Sequence, residues 1–244
     1  MEIYKGKSKI VLRGEDKNTL ILRFTDNATA FNGEKNETIH GKGVACAAVS
    51  NLIFAHLEQN GMETHLLKII DETSVAVKKA EIIGVEVIVR NFAAGGFVKK
   101  YGVEEGFAFN QPVVEFCLKD DKLGDPMVNE SQILALHIAT IAELTEMRRQ
   151  SLLIKKILCS LFEKAEICLA DFKLEFGRYE NKVILCDEIS PDSCRLWDMK
   201  TGEKFDKDRF RQDLGDVISG YNEVLRRLCH VIRNDSQGRA LDVK

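Results

Sequence analysis

The stretch that most constrains this chain is residues 169–189, LADFKLEFGRYENKVILCDEI. Two segments with alternating apolar and polar residues flank a polar interval holding a glycine, which predicts a β-hairpin across Gly177–Asn181. Alternate residues of a strand share a face. Ala170, Phe172, Leu174 and Phe176 therefore make an apolar side, and Asp171, Lys173 and Glu175 make the opposite one. A row of acid, base and acid suits a metal–phosphate site, and it equally suits a solvated sheet face; pattern alone leaves both open. Asp171 and Glu175 are four residues apart, ~13 Å along a strand, too far to share one Mg²⁺. A cross-strand partner is closer. Asp187 stands opposite Glu175 if the hairpin centres on Asn181, whereas a loop one residue shorter or longer turns it away unless a bulge, as at Gly177, intervenes.

The rest of the sequence supplies both strands and helices, so the expected class is α+β. EIYKGKSKIVL, TLILRFTD, LLKII, SVAVKKAEII and VEVIVRNF read as strands over the first ~90 residues, with a helical stripe from Gly43 to His56 among them. Further on, Thr140 and Glu143 form a T-x-x-E capping box ahead of a helix expected to run to about Glu166. Residues 207–232 predict one final amphipathic helix, and 234–244 a loose tail. Pro112, Pro126 and Pro191 all fall between these elements. At 244 residues, one domain or two closely packed lobes is expected.

Composition removes several function classes. Net charge is 35 − 38 = −3, so no basic field is offered to a nucleic acid, and an anionic ligand must be met by local cations. The seven cysteines form no C-x-x-C pair, and the five histidines form no HExxH or H-x₃₋₅-H spacing. Reduced thiols in a cytoplasmic protein are expected, and a zinc site is not. MEIYKGKSK lacks the apolar core of a secretory leader, and no apolar run reaches the ~18 residues of a membrane span.

Four other segments are candidates for chemistry. In YKGKSK, Lys7 and Lys9 point the same way on a strand and could hold phosphates, although lysines also guard sheet edges against aggregation. The segment has neither a P-loop nor a GxGxxG pattern. VRNFAAGGF puts Arg90 before a run of small residues, which suits a phosphate nest or a plain strand-to-helix turn. ISPDSCRLWD sets Arg195 between Asp192 and Asp198, as a ligand clamp or a structural ion pair. KDDKLGDPMVN, with Lys119 and Asp125, is acidic enough to be only a solvated turn.

In their order and spacing, YKGKSK, VEVIVRNFAAG (85–95), LGDPMVN (123–129), LADFKLEFG (169–177), DEISPDSCRLWD (187–198) and DKDRFRQDLG resemble the SAICAR synthetase family along nearly the whole chain. The resemblance implies a two-lobed fold related to ATP-grasp and kinase-like folds. A β-rich N-terminal lobe (1–84) and a larger α/β C-terminal lobe (85–244) would enclose an ATP cleft. It implies ATP as co-substrate and Mg²⁺ as cofactor. The reaction would join L-aspartate to a carboxyaminoimidazole ribonucleotide, giving ADP and phosphate in purine biosynthesis. These small molecules are the implied partners, and a homodimer is compatible with the resemblance. Lys7 and Lys9 would meet the ATP phosphates, and the backbone from Lys78 to Ile82 the adenine. Glu175 and Asp187 would hold Mg²⁺, with Asp171 and Lys173 lining the same cleft. Arg90 and Arg195 would clamp the ribonucleotide 5′-phosphate. Gly96 and Asp192 belong to the same substrate side, and Lys119 and Asp125 to a loop over it.

Two positions depart from the family pattern. Gly96 replaces a usual serine, removing a hydroxyl from the phosphate loop, and Cys46-Ala47 replaces Asn-Asn after the GKG at 41–43. Two other readings share the ATP site: a kinase-like phosphotransferase, which would make no amide, and a nucleotide-binding module without turnover.

Overall fold

The computed structural model describes residues 1–241. Its first half builds an antiparallel sheet in the order β1 (Glu2–Lys5), β2 (Lys9–Arg13), β3 (Thr19–Phe24), β7 (Ser74–Lys78), β6 (Leu66–Ile69). A small pair, β4 (Asn27–Ala30) and β5 (Lys35–Thr38), precedes helix α1 (Lys42–Gln59). Leu22, Phe24, Val75 and Val77 pack on Ala45 and Cys46 of α1, which explains why this strand-rich region needs its one long helix.

The second sheet carries the larger core. Its order is β10 (Met127–Val128), β9 (Ala108–Leu118), β8 (Glu81–Phe92), β11 (Ile167–Tyr179), β12 (Lys182–Cys186). β13 (Cys194–Asp198) pairs with the N-terminal half of β11, on the edge whose other half is taken by β12. The 84/85 division falls inside β8, all of which belongs to this sheet. Helix α4 (Ile141–Lys164) lays Leu144, Met147, Ile154, Leu158 and Leu161 on the apolar side of β8 and β11, where Phe172, Leu174 and Phe176 are fully buried. Its capping box forms as expected: Glu143 N donates to Thr140 Oγ1 at 3.2 Å, and Thr140 N to Glu143 Oε2 at 2.7 Å. A second box, Asn129 with Gln132, opens the short α3 (Glu130–Ala135) and was not anticipated.

The C-terminal expectation is corrected. Residues 207–232 are two helices, α5 (Asp208–Arg211) and α6 (Val217–Leu241). Asp213, Gly215 and Asp216 between them all adopt positive φ, which ends one helix before the next begins. The expected loose tail is helical as far as Leu241; residues 242–244 lie outside the described part.

The hairpin is corrected too. Tyr179 pairs with Lys182, so the loop is only Glu180–Asn181, both at positive φ as in a type I′ turn. Glu175 therefore faces Cys186, not Asp187. Asp187 lies one residue past the end of β12, with φ at +61°, and this left-handed step carries its carboxylate to the Glu175 side without any bulge in the hairpin. Gly177 has a different use. A Cβ there would lie 2.8 Å from Ala80 Cβ and 2.9 Å from Cys186 Sγ, so glycine lets the β7–β8 connection close on the hairpin.

Candidate active site

A cleft of about 370 Å³ lies between the two sheets. One wall is apolar, formed by Val11, Leu20, Leu22 and Val77, with Lys78, Ala80 and Ile82 beside it. The other is charged. Lys173 Nζ lies 2.6 Å from Glu175, 3.0 Å from Glu86 and 3.4 Å from Asp187. Lys119 Nζ reaches Glu175 at 2.8 Å. Lys9 pairs with Asp187, and with Glu188 at 2.9 Å. Lys7 salt-bridges Asp121 at 2.6 Å and approaches Asp125 at 3.6 Å, so the solvent-exposed acidic loop after β9 also borders the cleft.

The sequence builds this wall by alternation. Glu175 and Lys173 occupy the polar side of β11, and register places Glu86 of β8 directly across from Glu175. The connection from Asp187 to Ser193 is held open by its own side chains. Ser190 Oγ donates to Glu188 at 2.7 Å, Asp192 N donates to Ser190 Oγ at 3.1 Å, and Lys173 N donates to Ser193 O at 2.8 Å.

These groups perturb one another strongly. Burial pushes the Lys9 and Lys173 ammonium groups down, but the surrounding carboxylates more than reverse this, so both end above the ordinary lysine range. Burial raises Asp187, and Lys9 and Lys173 overcome it, holding the carboxylate well below its usual range. His65, buried at the cleft floor, is pushed down to about 4 by burial, opposed by Asp187, and stays neutral.

A second cluster lies farther along β11. Register sets Asp171 between Arg90 of β8 and Arg195 of β13. Its carboxylate accepts from Arg90 Nη1 at 2.6 Å and from Arg195 Nη1 at 2.9 Å. Arg90 Nε also donates to Glu115 at 2.6 Å, and Arg195 Nε to Asp208 at 3.0 Å. The expectation that Asp171 lines the cleft with Lys173 is corrected: its carboxylate is buried between two arginines. Nor does Arg195 pair with its sequence neighbours. Asp198 binds Arg227 and Asp192 binds Lys42. The Nη2 atoms of Arg90 and Arg195 make no hydrogen bond among the described residues. Arg195 Nη2 rests on Gly95, where a Cβ would lie only 2.1 Å from it. Gly96 is open, with nothing within 4 Å of its would-be Cβ and no positive φ.

A profile of the SAICAR synthetase family matches residues 2–228. The chain belongs to the SAICAR synthetase family. The phosphoribosylaminoimidazole-succinocarboxamide synthase of Lachnoclostridium phytofermentans is 49% identical over 227 residues, 93% of this chain and 97% of that protein. The crystal structure of the Ehrlichia chaffeensis synthase superposes with a TM-score of 0.92 at 43% identity, covering 93% of this chain and 98% of that one. A SAICAR synthetase solved in complex with ADP superposes with a TM-score of 0.89 at 40% identity, covering 92% and 96%. Membership in the SAICAR synthetase family brings its reaction, the ATP-dependent ligation of L-aspartate to a carboxylated aminoimidazole ribonucleotide in purine biosynthesis. A phosphotransferase that makes no amide is thereby set aside.

Sequence reasoning missed Glu86, Glu115, Glu188, Lys42 and Asp208. Glu86 had a signal: it shares a strand face with Arg90, four residues on. Glu188 adjoins Asp187 in the DEIS segment. Asp208 and Lys42 are visible only through contacts distant in sequence.

Proposed function

We propose that the cleft binds ATP with Mg²⁺, and that the Arg90–Arg195 cluster binds the 5′-phosphate of the ribonucleotide. The observation that carries this reading is the convergence of Glu175 and Asp187 on one cation, the Lys173 ammonium. An all-oxygen donor pair suits Mg²⁺, which commonly takes one or two carboxylates and fills its shell with phosphate and water. Among the described residues no three acidic, histidine or cysteine groups could hold a metal alone, so these two need the nucleotide's oxygens beside them. Bound there, Mg²⁺ would neutralise charge on the phosphates.

The apolar wall of Val11, Leu20 and Val77 suits adenine, met by the backbone near Lys78 and Ile82. Lys7 and Lys9 bind phosphate oxygens, and Lys119 and Asp125 belong to the loop bordering the cleft. A free carboxylate is a poor electrophile because amine attack would have to expel oxide. An oxygen of the imidazole carboxylate therefore attacks the γ-phosphorus, and ADP leaves. The aspartate amine then attacks the acyl carbon, the carbon–oxygen bond to phosphate breaks, and the amine's proton passes to solvent. Such transfers depend on positioning and charge neutralisation, which Lys7, Lys9 and Lys173 supply. Arg90 and Arg195 fix the ribonucleotide through their Nη2 donors, beside Gly95 and Gly96. The described cysteines are all free, which suits a reducing, cytoplasmic setting.

The test is ADP release with ribonucleotide, Mg²⁺ and ATP, with and without L-aspartate. Full release that ignores L-aspartate would reject the ligase reading of this site.

A further inference from the structure

We propose that Lys207 anchors a carboxylate of L-aspartate, at a subsite near both the Lys173 cluster and the arginine cluster. This rests on the ATP and ribonucleotide sites proposed for the cleft. Lys207 lines the cleft, and its side chain is only 13% exposed. Its nearest carboxylate oxygen, Asp192 Oδ2, is 3.7 Å away, beyond hydrogen-bonding distance. That oxygen lies 2.6 Å from Lys42 Nζ, and Asp192 Oδ1 accepts from Tyr221 at 2.6 Å. The Lys207 ammonium makes no hydrogen bond among the described residues, although Lys9, Lys119 and Lys173 of the charged wall each bond a carboxylate.

The Lys207 ammonium, part-buried and open to the cleft, has donors free to meet an added anion. Burial lowers the Lys207 pKa, and Asp192, shared with Lys42, only partly offsets this. Lys42 and Lys207 share Asp192, Glu188 acts on both from farther away, and of the two lysines it is Lys207 that lines the cleft. The backbone fixes this position: Lys207 N donates to Pro191 O at 3.1 Å, while the next residue, Asp208, turns the other way to Arg195.

The reaction brings several anions to the cleft. The ATP phosphates have Lys7, Lys9 and Lys173, and the ribonucleotide phosphate has the arginines. L-Aspartate brings two carboxylates and has no cation assigned. Lys207 lines the ATP cleft while its chain neighbour Asp208 binds Arg195, so a carboxylate on its ammonium would lie near both proposed sites and bring the attacking amine close.

The test compares two nucleophiles. Hydroxylamine also attacks an acyl phosphate: its nitrogen bonds to the acyl carbon, the carbon–oxygen bond to phosphate breaks, and a proton passes to solvent. It has no carboxylate to anchor. Lys207→Met is expected to raise the KM for L-aspartate at least tenfold, with the KM values of ATP and ribonucleotide within twofold. It should keep hydroxylamine-dependent ADP release near the wild-type rate, and Lys207→Arg should recover part of the aspartate affinity. Thermal stabilisation by ADP verifies folding; if the methionine variant fails it, Lys207→Gln carries the same comparison. An unchanged aspartate KM overturns the proposal, as does equal loss with both nucleophiles. If the wild-type enzyme forms no hydroxamate but the aspartate KM shift stands, the acyl phosphate reading fails and the anchor survives.

Discussion

Gly95 and Gly96 are neighbours and should respond to the same substitution in opposite ways. Gly95 holds φ +54° and ψ −122°, a sparsely populated conformation that costs an L-residue about 1–3 kcal/mol. A serine Cβ there would also stand 2.1 Å from Arg195 Nη2 and 2.5 Å from Cζ. The guanidinium cannot yield cheaply, because Asp171 and Asp208 grip it from two sides. Moving it strands buried carboxylates, at about 3–5 kcal/mol for a broken buried pair. Gly95→Ser should therefore lose at least about 3 kcal/mol of stability and weaken the ribonucleotide tenfold or more. Gly96 has open space and an ordinary φ. Gly96→Ser should leave stability within about 0.5 kcal/mol of wild type. Its hydroxyl can add a charge-assisted hydrogen bond to the phosphate, about 1.5–3 kcal/mol before offsets. After ordering the side chain and displacing water, a net gain of about 1 kcal/mol remains, roughly fivefold in affinity. Urea unfolding and calorimetric titration of the ribonucleotide at fixed salt measure both effects. A Gly95→Ser protein as stable and tight as wild type would refute the packing argument. A Gly96→Ser protein that binds several-fold worse would require the phosphate site to be redrawn around Arg195 alone.

Glu175→Gln and Asp187→Asn should each reduce kcat by a factor corresponding to about 3 kcal/mol while circular dichroism shows an intact fold; near-normal turnover at limiting Mg²⁺ would reject the ligand assignment. Arg195→Lys keeps the charge but loses the planar fork, so ribonucleotide affinity should fall at least tenfold and ADP affinity less than twofold, measured by separate titrations; equal losses would mean that Arg195 only supports the fold. His65 is pushed down to about 4 in the folded protein, against an ordinary value of 6.5, so the unfolded chain takes up protons first as pH falls. Its contribution is complete above pH ~6.5 and is lost towards pH ~4, and His65→Phe should remove about 2 kcal/mol of the wild-type stability loss between pH 7 and 5 in urea titrations.

The elements that alternation and capping specify were legible in the sequence: the polar and apolar sides of β11, the start of α4, and the strands of the first sheet. What failed was parity and pairing. The position of Asp187 depended on whether the hairpin loop was odd or even, and Glu180–Asn181 adopting two consecutive positive φ values made it even. The left-handed step at Asp187 then restored the carboxylate to the right side, by a conformation that no periodicity encodes. The partners of Asp171 were unreadable for another reason: Arg90 is 81 residues away, so their contact exists only once β8 and β11 are in register. The acids near Arg195 in sequence were poor guides, since a strand sends neighbours to opposite faces. The final helix was misjudged because its polar C-terminal turns carry little apolar signal.

β11 supplies Asp171 to one cluster and Glu175 to the other. Four residues of extended chain separate them, ~13 Å at ~3.3 Å per residue. Because both ends belong to one strand locked between β8 on one edge and β12 and β13 on the other, relative motion of the sheets cannot change that span. The strand is thus a fixed ruler. A shift of the first sheet would move Lys7 and Lys9, the lysines proposed to meet the nucleotide phosphates, relative to that strand. It cannot bring the arginines closer to Glu175, so on the proposed assignment a ribonucleotide lacking its 5′-phosphate would have its carboxylate at the phosphoryl end with nothing to hold the other.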